Sequence, residues 1–213
     1  MEQIKWIFGD MHLRSLGMFN RIYSKSFASQ EEYEEAIVKN WNKKVTSVDD
    51  IVIIIGDLGF KDGIEAVIPR LRGRKWLLMG NHDGYSKSYY EKFFEKVFDT
   101  PIYFSKRIVI SHIPIPVEAG ILNVHGHTHH VKLKSENHIN VCPEWTEYKP
   151  VGIKEFEKII SRMTPPNYQF LQEWYAEIQI SYSEDQREFI LKEDGTINAA
   201  ESLKLKLDNM TKI

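Results

Sequence analysis

The sequence predicts an α/β layered domain with a mixed sheet, and three features carry that prediction. Over the first half of the chain, short apolar runs alternate with segments of helical spacing, and each run ends in Gly-Asp or Gly-Asn. One run, Ile51–Ile55, is β-branched throughout and does not alternate with polar residues, as expected of a central strand covered on both faces. Beyond Pro101 the pattern changes to a succession of short strands.

The elements follow in order. Residues 4–8 read as a buried strand stopped by Gly9-Asp10. Ser29, with Glu32 three residues on, forms a capping-box pattern, and Tyr33, Ile37 and Trp41 then fall on one helical face. After the second strand and Gly56-Asp57, a short helix is expected from about Gly63 towards Leu71, with Pro69 limiting its last turn. Arg70, Arg72, Arg74 and Lys75 surround Gly73; cations at a helix C-terminus and a glycine beyond it account for them. A strand over residues 76–79 ends in Gly80-Asn81-His82-Asp83, and residues 89–98 read as helical. Strands are expected over 102–104, 108–111, 121–124 and 139–141, then a closing helix over 154–163. The remainder contains an alternating segment at 176–182, a turn at 193–196 and a helical pattern at 199–207, none of which names a chemistry. The division expected is a domain over residues 1–163 and an extension over 164–213.

Composition narrows the functional classes. A formal net charge of -2 gives no support to wholesale electrostatic binding of nucleic acid or anionic membrane. The single cysteine, Cys142, rules out an intramolecular disulfide and a thiolate zinc cluster. No apolar run reaches the length of a membrane span, and the first residues lack the form of a signal peptide, so a cytoplasmic location is expected. Of the eight histidines, five (His112, His125, His127, His129 and His130) crowd into one stretch. Such a cluster is either a solvated tract or a metal site, and its context decides.

That context is five polar motifs, each just after a strand: Asp10-Met11-His12, Gly56-Asp57, Gly80-Asn81-His82-Asp83, Ser111-His112 and Gly126-His127-Thr128-His129. Ligands of open α/β sheets bind beyond the carboxyl ends of strands, so the five can converge on one site. Asp, Asn and His without cysteine suit divalent manganese, iron, zinc, cobalt or nickel. Asp10 and His12, one residue apart, can reach one metal from an extended segment, and His127 and His129 share that spacing. The glycines allow close backbone approach and unusual torsions. More than four ligands are available, enough for two metals, and Asp57 has two oxygens to share between them.

In these motifs the sequence resembles the calcineurin-like metallophosphoesterases, whose pattern D-x-H, GD, GNH[DE], lone H and GHxH stands here in order over roughly residues 4–160. Small phage and bacterial members are the nearest in character. The resemblance implies a four-layer α-β-β-α sandwich with mixed sheets and two metals at its top. It also implies that Asp10, His12 and His129 hold one metal, that Asn81, His112 and His127 hold the other, and that Asp57 bridges them. His82 would be the catalytic proton donor beside the metals. The implied function is a hydrolase that cleaves a phosphate ester with a dinuclear centre and an activated hydroxide. Two divalent ions are expected, manganese first, with iron(II), zinc, nickel or cobalt as alternatives. The expected partner is a small phosphoester, nucleotides among them, with no membrane and no clear nucleic-acid surface.

Departures from the family's branches bear on substrate. Protein Ser/Thr phosphatases continue the second motif as GDxVDRG and end the third in Glu; here Phe60 and Asp83 occupy those places, which argues against that branch and removes the aspartate that orients the catalytic histidine there. Little chain lies between the motifs to build a cap, and an open site favours diesters over monoesters. Two alternatives differ in class: a binding scaffold of the same fold, which typically loses motif residues that this chain keeps, and a nuclease acting on nucleic-acid ends, for which no basic-aromatic stripe is evident. Among neighbouring residues, His125 and His130 read as supporting or surface groups, His138 and Cys142 as packing groups, and Asp83 as an acceptor for its own loop. Arg14 is close enough in sequence to touch phosphate, and Trp145 and Tyr148 to stack on a base; solvated and packed readings stand beside these.

Overall fold

β1 (Ile4–Gly9), β2 (Ile51–Ile55) and β3 (Arg74–Leu78) lie parallel in one sheet, in a register that aligns Gly9 with Ile55 and Ile55 with Leu78. The three segments leaving these strands therefore emerge at the same edge. The computed structural model describes residues 4–165, so the segments at 176–182, 193–196 and 199–207 lie outside the described residues. β4 (Lys96–Phe98) extends the sheet beyond β3, and β9 (Val151–Gly152) closes its other side antiparallel to β1.

A second sheet has the order β5 (Ile102–Ser105), β6 (Ile108–Ser111), β7 (Leu122–His125), β8 (His138–Asn140). β5 runs antiparallel to β6, whereas β6, β7 and β8 are parallel, with Ser111 opposite His125 and His125 opposite Asn140. Both sheets are thus mixed, and the parallel strands of each present their carboxyl ends together.

Alternation along β1 and β2 divides the core. Phe8, Val52 and Ile54 face the helices, packing with Ile37, Trp41 and Ile64. Ile7, Ile51, Ile53 and Ile55 face the second sheet and meet Ile110, Leu122 and Val124. All five β2 residues are buried, as an unalternating β-branched strand requires. The helical layer consists mainly of α2 (Gln30–Lys44) and α3 (Lys61–Val67), the latter continued by a 3-10 turn through Pro69. A short α1 (Leu16–Met18) runs into a π-helical turn at Phe19–Tyr23. α5 (Ile153–Ile160) inserts Ile153 and Phe156 into the apolar seam between the sheets. The result is the expected α/β sandwich with mixed sheets. No helix among the described residues is long and apolar enough to cross a membrane.

Local signals explain the boundaries. Ser29 caps α2 by accepting from the Glu32 N–H, and Glu32 reaches back to the Ala28 N–H, a variant of the capping box. Lys75 Nζ donates to the Leu71 and Gly73 carbonyls, and Arg70 and Arg74 pair with Glu35 and Glu95; the basic run serves the α3 terminus and the surface. One expectation is corrected. Residues 89–98 do not form a helix: α4 (Lys87–Tyr90) gives way to turns, and Lys96–Phe98 pairs with β3 as an edge strand with Val97 buried. Parallel pairing to a strand twenty residues earlier in the chain overrides the local helical pattern, a tertiary effect that a sequence window does not contain.

Two buried tyrosines hold the segment leaving β1. Tyr23 Oη donates to the Asp10 carbonyl at 2.9 Å, Tyr33 Oη donates to the Met11 carbonyl at 2.8 Å, and the rings stack at 4.1 Å. Removing the second hydroxyl leaves a buried carbonyl without that donor. Tyr33→Phe is expected to lower stability by about 1–3 kcal/mol, read as a lower midpoint in urea at unchanged slope.

Candidate metal centre

Five strand ends supply the site. Asp10 and His12 leave β1, Asp57 follows β2, Asn81 and His82 follow β3, His112 follows β6, and His127 and His129 follow β7. All eight sequence-predicted site residues come together at this one edge. Two groups form within it, Asp10-His12-His129 and Asp57-His112-His127, each with ligand atoms within 4.8 Å of one another. They adjoin: His12 Nε2 lies 3.6 Å from Asp57 Oδ2, and His112 Nδ1 lies 3.9 Å from Asp10 Oδ1. Asp57 Oδ2 is also 3.4 Å from His112 Nε2, so one carboxylate oxygen faces a histidine of each group. Asn81 Oδ1 stands 3.0 Å from His112 Nε2.

The backbone is unusual where these residues sit. Asp10, His12, Asp57, His127 and His129 all have positive φ, between 44° and 64°. Each non-glycine residue in that region costs on the order of 1–3 kcal/mol unless surrounding contacts compensate. The compensation comes from the carboxylates. Asp10 Oδ2 accepts the His127 N–H at 2.9 Å and the Cys142 thiol at 3.4 Å. Asp57 Oδ1 accepts the His82 N–H at 2.9 Å. Each bonded oxygen lies over a glycine: a Cβ on Gly126 would stand 1.8 Å from Asp10 Oδ2, and one on Gly80 2.3 Å from Asp57 Oδ1. Asp83, buried beneath them, accepts from the N–H groups of Asp57, Leu58 and Gly80 and so ties the second and third motifs together.

Electrostatics leaves the donors poised for a cation. Burial holds the His12 and His127 imidazoles near pKa 3 and 4, so both are neutral at neutral pH with a free lone pair. Burial also raises the Asp10 carboxyl, with His112 opposing. At His112 burial works downward, yet Asp10 and Asp57 outweigh it and raise the imidazole to about 9. Asp10 Oδ1 is buried with no hydrogen-bond partner among the described residues. It stands 4.0 Å from His12 Nε2 and 3.9 Å from His129 Nε2, and those two nitrogens are 3.1 Å apart. Two nitrogens sharing one cation at about 2.1 Å would be roughly 3.0–3.4 Å apart. An orphaned carboxylate oxygen, the neutral His12 imidazole and that spacing fit a divalent metal.

Other residues fall where the sequence allowed and where it did not. The His82 imidazole is exposed, 6.1 Å from the His12 ring, and has no hydrogen-bond partner among the described residues; its backbone is what Asp57 fixes. His125 is buried against the Gly126 carbonyl, and His138 bonds Ser135 and the Ile115 carbonyl. Arg14 is engaged by Glu31 and Glu34. Tyr148 packs edge-on against Phe27 and Tyr33, and Trp145 Nε1 donates to the His129 carbonyl. Sequence reasoning missed Glu144, whose carboxylate meets His129 Nδ1 at 2.9 Å and orients that ring. It also missed the Cys142 thiol on Asp10. Their nearness to strand β8 was the available signal, and it does not specify which side chain turns towards the site.

The family profile described as calcineurin-like phosphoesterase matches residues 6–196. The chain is 27% identical over 174 residues to the uncharacterized protein MJ1445 of Methanocaldococcus jannaschii, covering 74% of this chain and 91% of that protein. It resembles the crystal structure of a protein of unknown function, AQ665 from Aquifex aeolicus, with 25% identity and a TM-score of 0.58 over 74% of this chain and 100% of that one. The nuclease MPE of Pseudomonas putida aligns with 20% identity and a TM-score of 0.41, over 58% of this chain and 60% of that one.

The contact between Gly126 and Asp10 is testable by itself. Gly126→Ala is expected to displace the Asp10 carboxylate, to lower stability by about 1–3 kcal/mol in chelator-treated protein, and to weaken metal binding in titration calorimetry. Unchanged values on both counts would contradict the packing described.

Proposed function

This chain belongs to the calcineurin-like phosphoesterases, whose reaction is metal-dependent hydrolysis of phosphate esters, and on that premise we propose that it is a phosphodiesterase with a dinuclear centre. The observation that carries the reading is the pair of adjoining ligand groups. One ion would be held by Asp10, His12 and His129 and the other by Asn81, His112 and His127, with Asp57 shared. The carboxylate, amide and imidazole donors suit manganese first, and iron(II), zinc, nickel or cobalt as well. Bound there, divalent cations supply Lewis acidity towards phosphoryl oxygens and lower the pKa of water.

The protein's own groups do the rest. Asp10 and Asp57 bring opposing charge to a site that will carry cations, and Asn81 adds a ligand without adding charge. Glu144 fixes the tautomer of His129 by taking its Nδ1 proton in a hydrogen bond, so that Nε2 carries the lone pair. In hydrolysis a water oxygen bonds to phosphorus and the ester P–O bond breaks. An N–H of His82 gives its proton to the departing oxygen, and the proton lost by the water passes to solvent or back to that imidazole. His82 is suited to this because it borders the ligand cluster while remaining exposed to an incoming ester. The openness of the edge favours diesters, and no motif residue is missing, which disfavours the scaffold alternative. We propose a cytoplasmic location for this activity.

Turnover of bis-p-nitrophenyl phosphate with manganese tests the reading, and failure with every divalent metal would sink it. His82→Ala is expected to retain two equivalents of metal by elemental analysis and to lose about 10²–10⁴ in kcat on an ester of an unactivated alcohol. Asp57→Asn should lower metal content and turnover together. Glu144→Ala should weaken metal affinity by about 10- to 100-fold in calorimetry while the apo fold persists by circular dichroism.

A further inference from the structure

Two cavities adjoin the ligand cluster, and His12, Met18 and His82 line both. The first, of about 230 Å³, is lined by Asp57, His127 and His129, and by Arg21. On the phosphodiesterase reading a phosphoryl group would lie on that side, beside Asp57, His127 and His129. The second, of about 420 Å³, lies beyond His82 and contains no metal-ligand candidate except His12. Phe60 and Tyr85 line it, and no Asp, Glu, Lys or Arg does among the described residues.

The two aromatic walls are held in place. Phe60 is 55% exposed although its backbone is pinned by the bond from its N–H to the Leu13 carbonyl. Tyr85 Oη accepts the Lys61 N–H at 3.0 Å, and its ring leans on Tyr89 at 4.9 Å. A large apolar ring kept in water beside a reactive edge gains nothing for the fold and offers a face to a ligand. The position relative to His82 says which part of the ligand. A proton donor stands at the leaving oxygen, so the cavity that His82 lines with no metal-ligand candidate beside it except His12 is the one the leaving group enters.

We propose that the Phe60-Tyr85 cavity is the leaving-group subsite and that it selects esters whose departing alcohol carries an uncharged planar ring, a nucleoside or a phenol. The volume lies within the range of about 300–1,000 Å³ usual for small-molecule sites. The absence of ionic groups from the lining penalises, through desolvation, a leaving group that carries a charged substituent on its ring. The inference rests on the phosphodiesterase reading above, through the placement of His82.

Two diesters separate the cases. Methyl p-nitrophenyl phosphate releases an aryl oxide, a ring, whereas ethylene phosphate opens to a small alkoxide. With manganese present, the ratio of kcat/KM for the aryl over the cyclic ester is expected to fall roughly five- to tenfold in Phe60→Ala and to stay within about twofold of wild type in Phe60→Tyr, which keeps the ring. An unchanged ratio in a folded, metal-loaded Phe60→Ala overturns the subsite. Should Phe60→Ala not fold, Tyr85→Leu carries the same expectation and the same refutation. If the wild-type protein turns over neither ester with any divalent metal, the phosphodiesterase reading has failed first, and this inference falls with it.

Discussion

The upper edge of the molecule depends on a division of labour within two carboxylates. Asp10 and Asp57 each commit one oxygen to a backbone N–H in a different loop, and each leaves the other oxygen facing histidines. The committed oxygens stitch loop to loop: β1 to the segment after β7, and β2 to the segment after β3. The uncommitted ones create the demand for positive charge. Because both roles belong to the same planar group, the position of each ligand oxygen is set by the fold.

That arrangement is costly and needs support from below. Five residues of the candidate site occupy the left-handed region, where a side chain normally forbids it. They are kept there by groups that a local view of each motif does not include. Asp83 collects three N–H groups, the Tyr23 and Tyr33 hydroxyls serve the carbonyls of Asp10 and Met11, and Trp145 serves that of His129. Beneath these, the paired sheets align their strand ends within a residue or so of one another. Strain is tolerated because so many independent contacts define the same geometry.

The same edge is asymmetric in chemistry. On one side of His82 lie carboxylates, imidazoles and Arg21; on the other lie Phe60 and Tyr85. A substrate that is anionic at one end and aromatic at the other matches both halves. Phe60 stands where the protein phosphatases of this superfamily have an aspartate, so one position both removes a partner for His82 and supplies a ring.

Much of this was legible in the sequence. Asp10, His12, Asp57, Asn81, His112, His127 and His129 announce themselves because each follows an apolar run and a turn-forming residue, and local pattern suffices to place a strand end. Ile51–Ile55 declares itself a central strand by its composition. Tertiary structure alone decided the rest, because the deciding partners are distant in the chain. Residues 96–98 become a strand only by pairing with β3, and Glu144 reaches His129 only after β8 turns the chain back; spacing alone does not separate His127 from His129, and in the folded chain His129 lies with Asp10 and His12, and His127 with Asp57 and His112. Residue order determines what chemistry is available at each strand end; only the packing of one sheet on the other determines which atoms meet, since the contacts that fix them join segments more than a hundred residues apart.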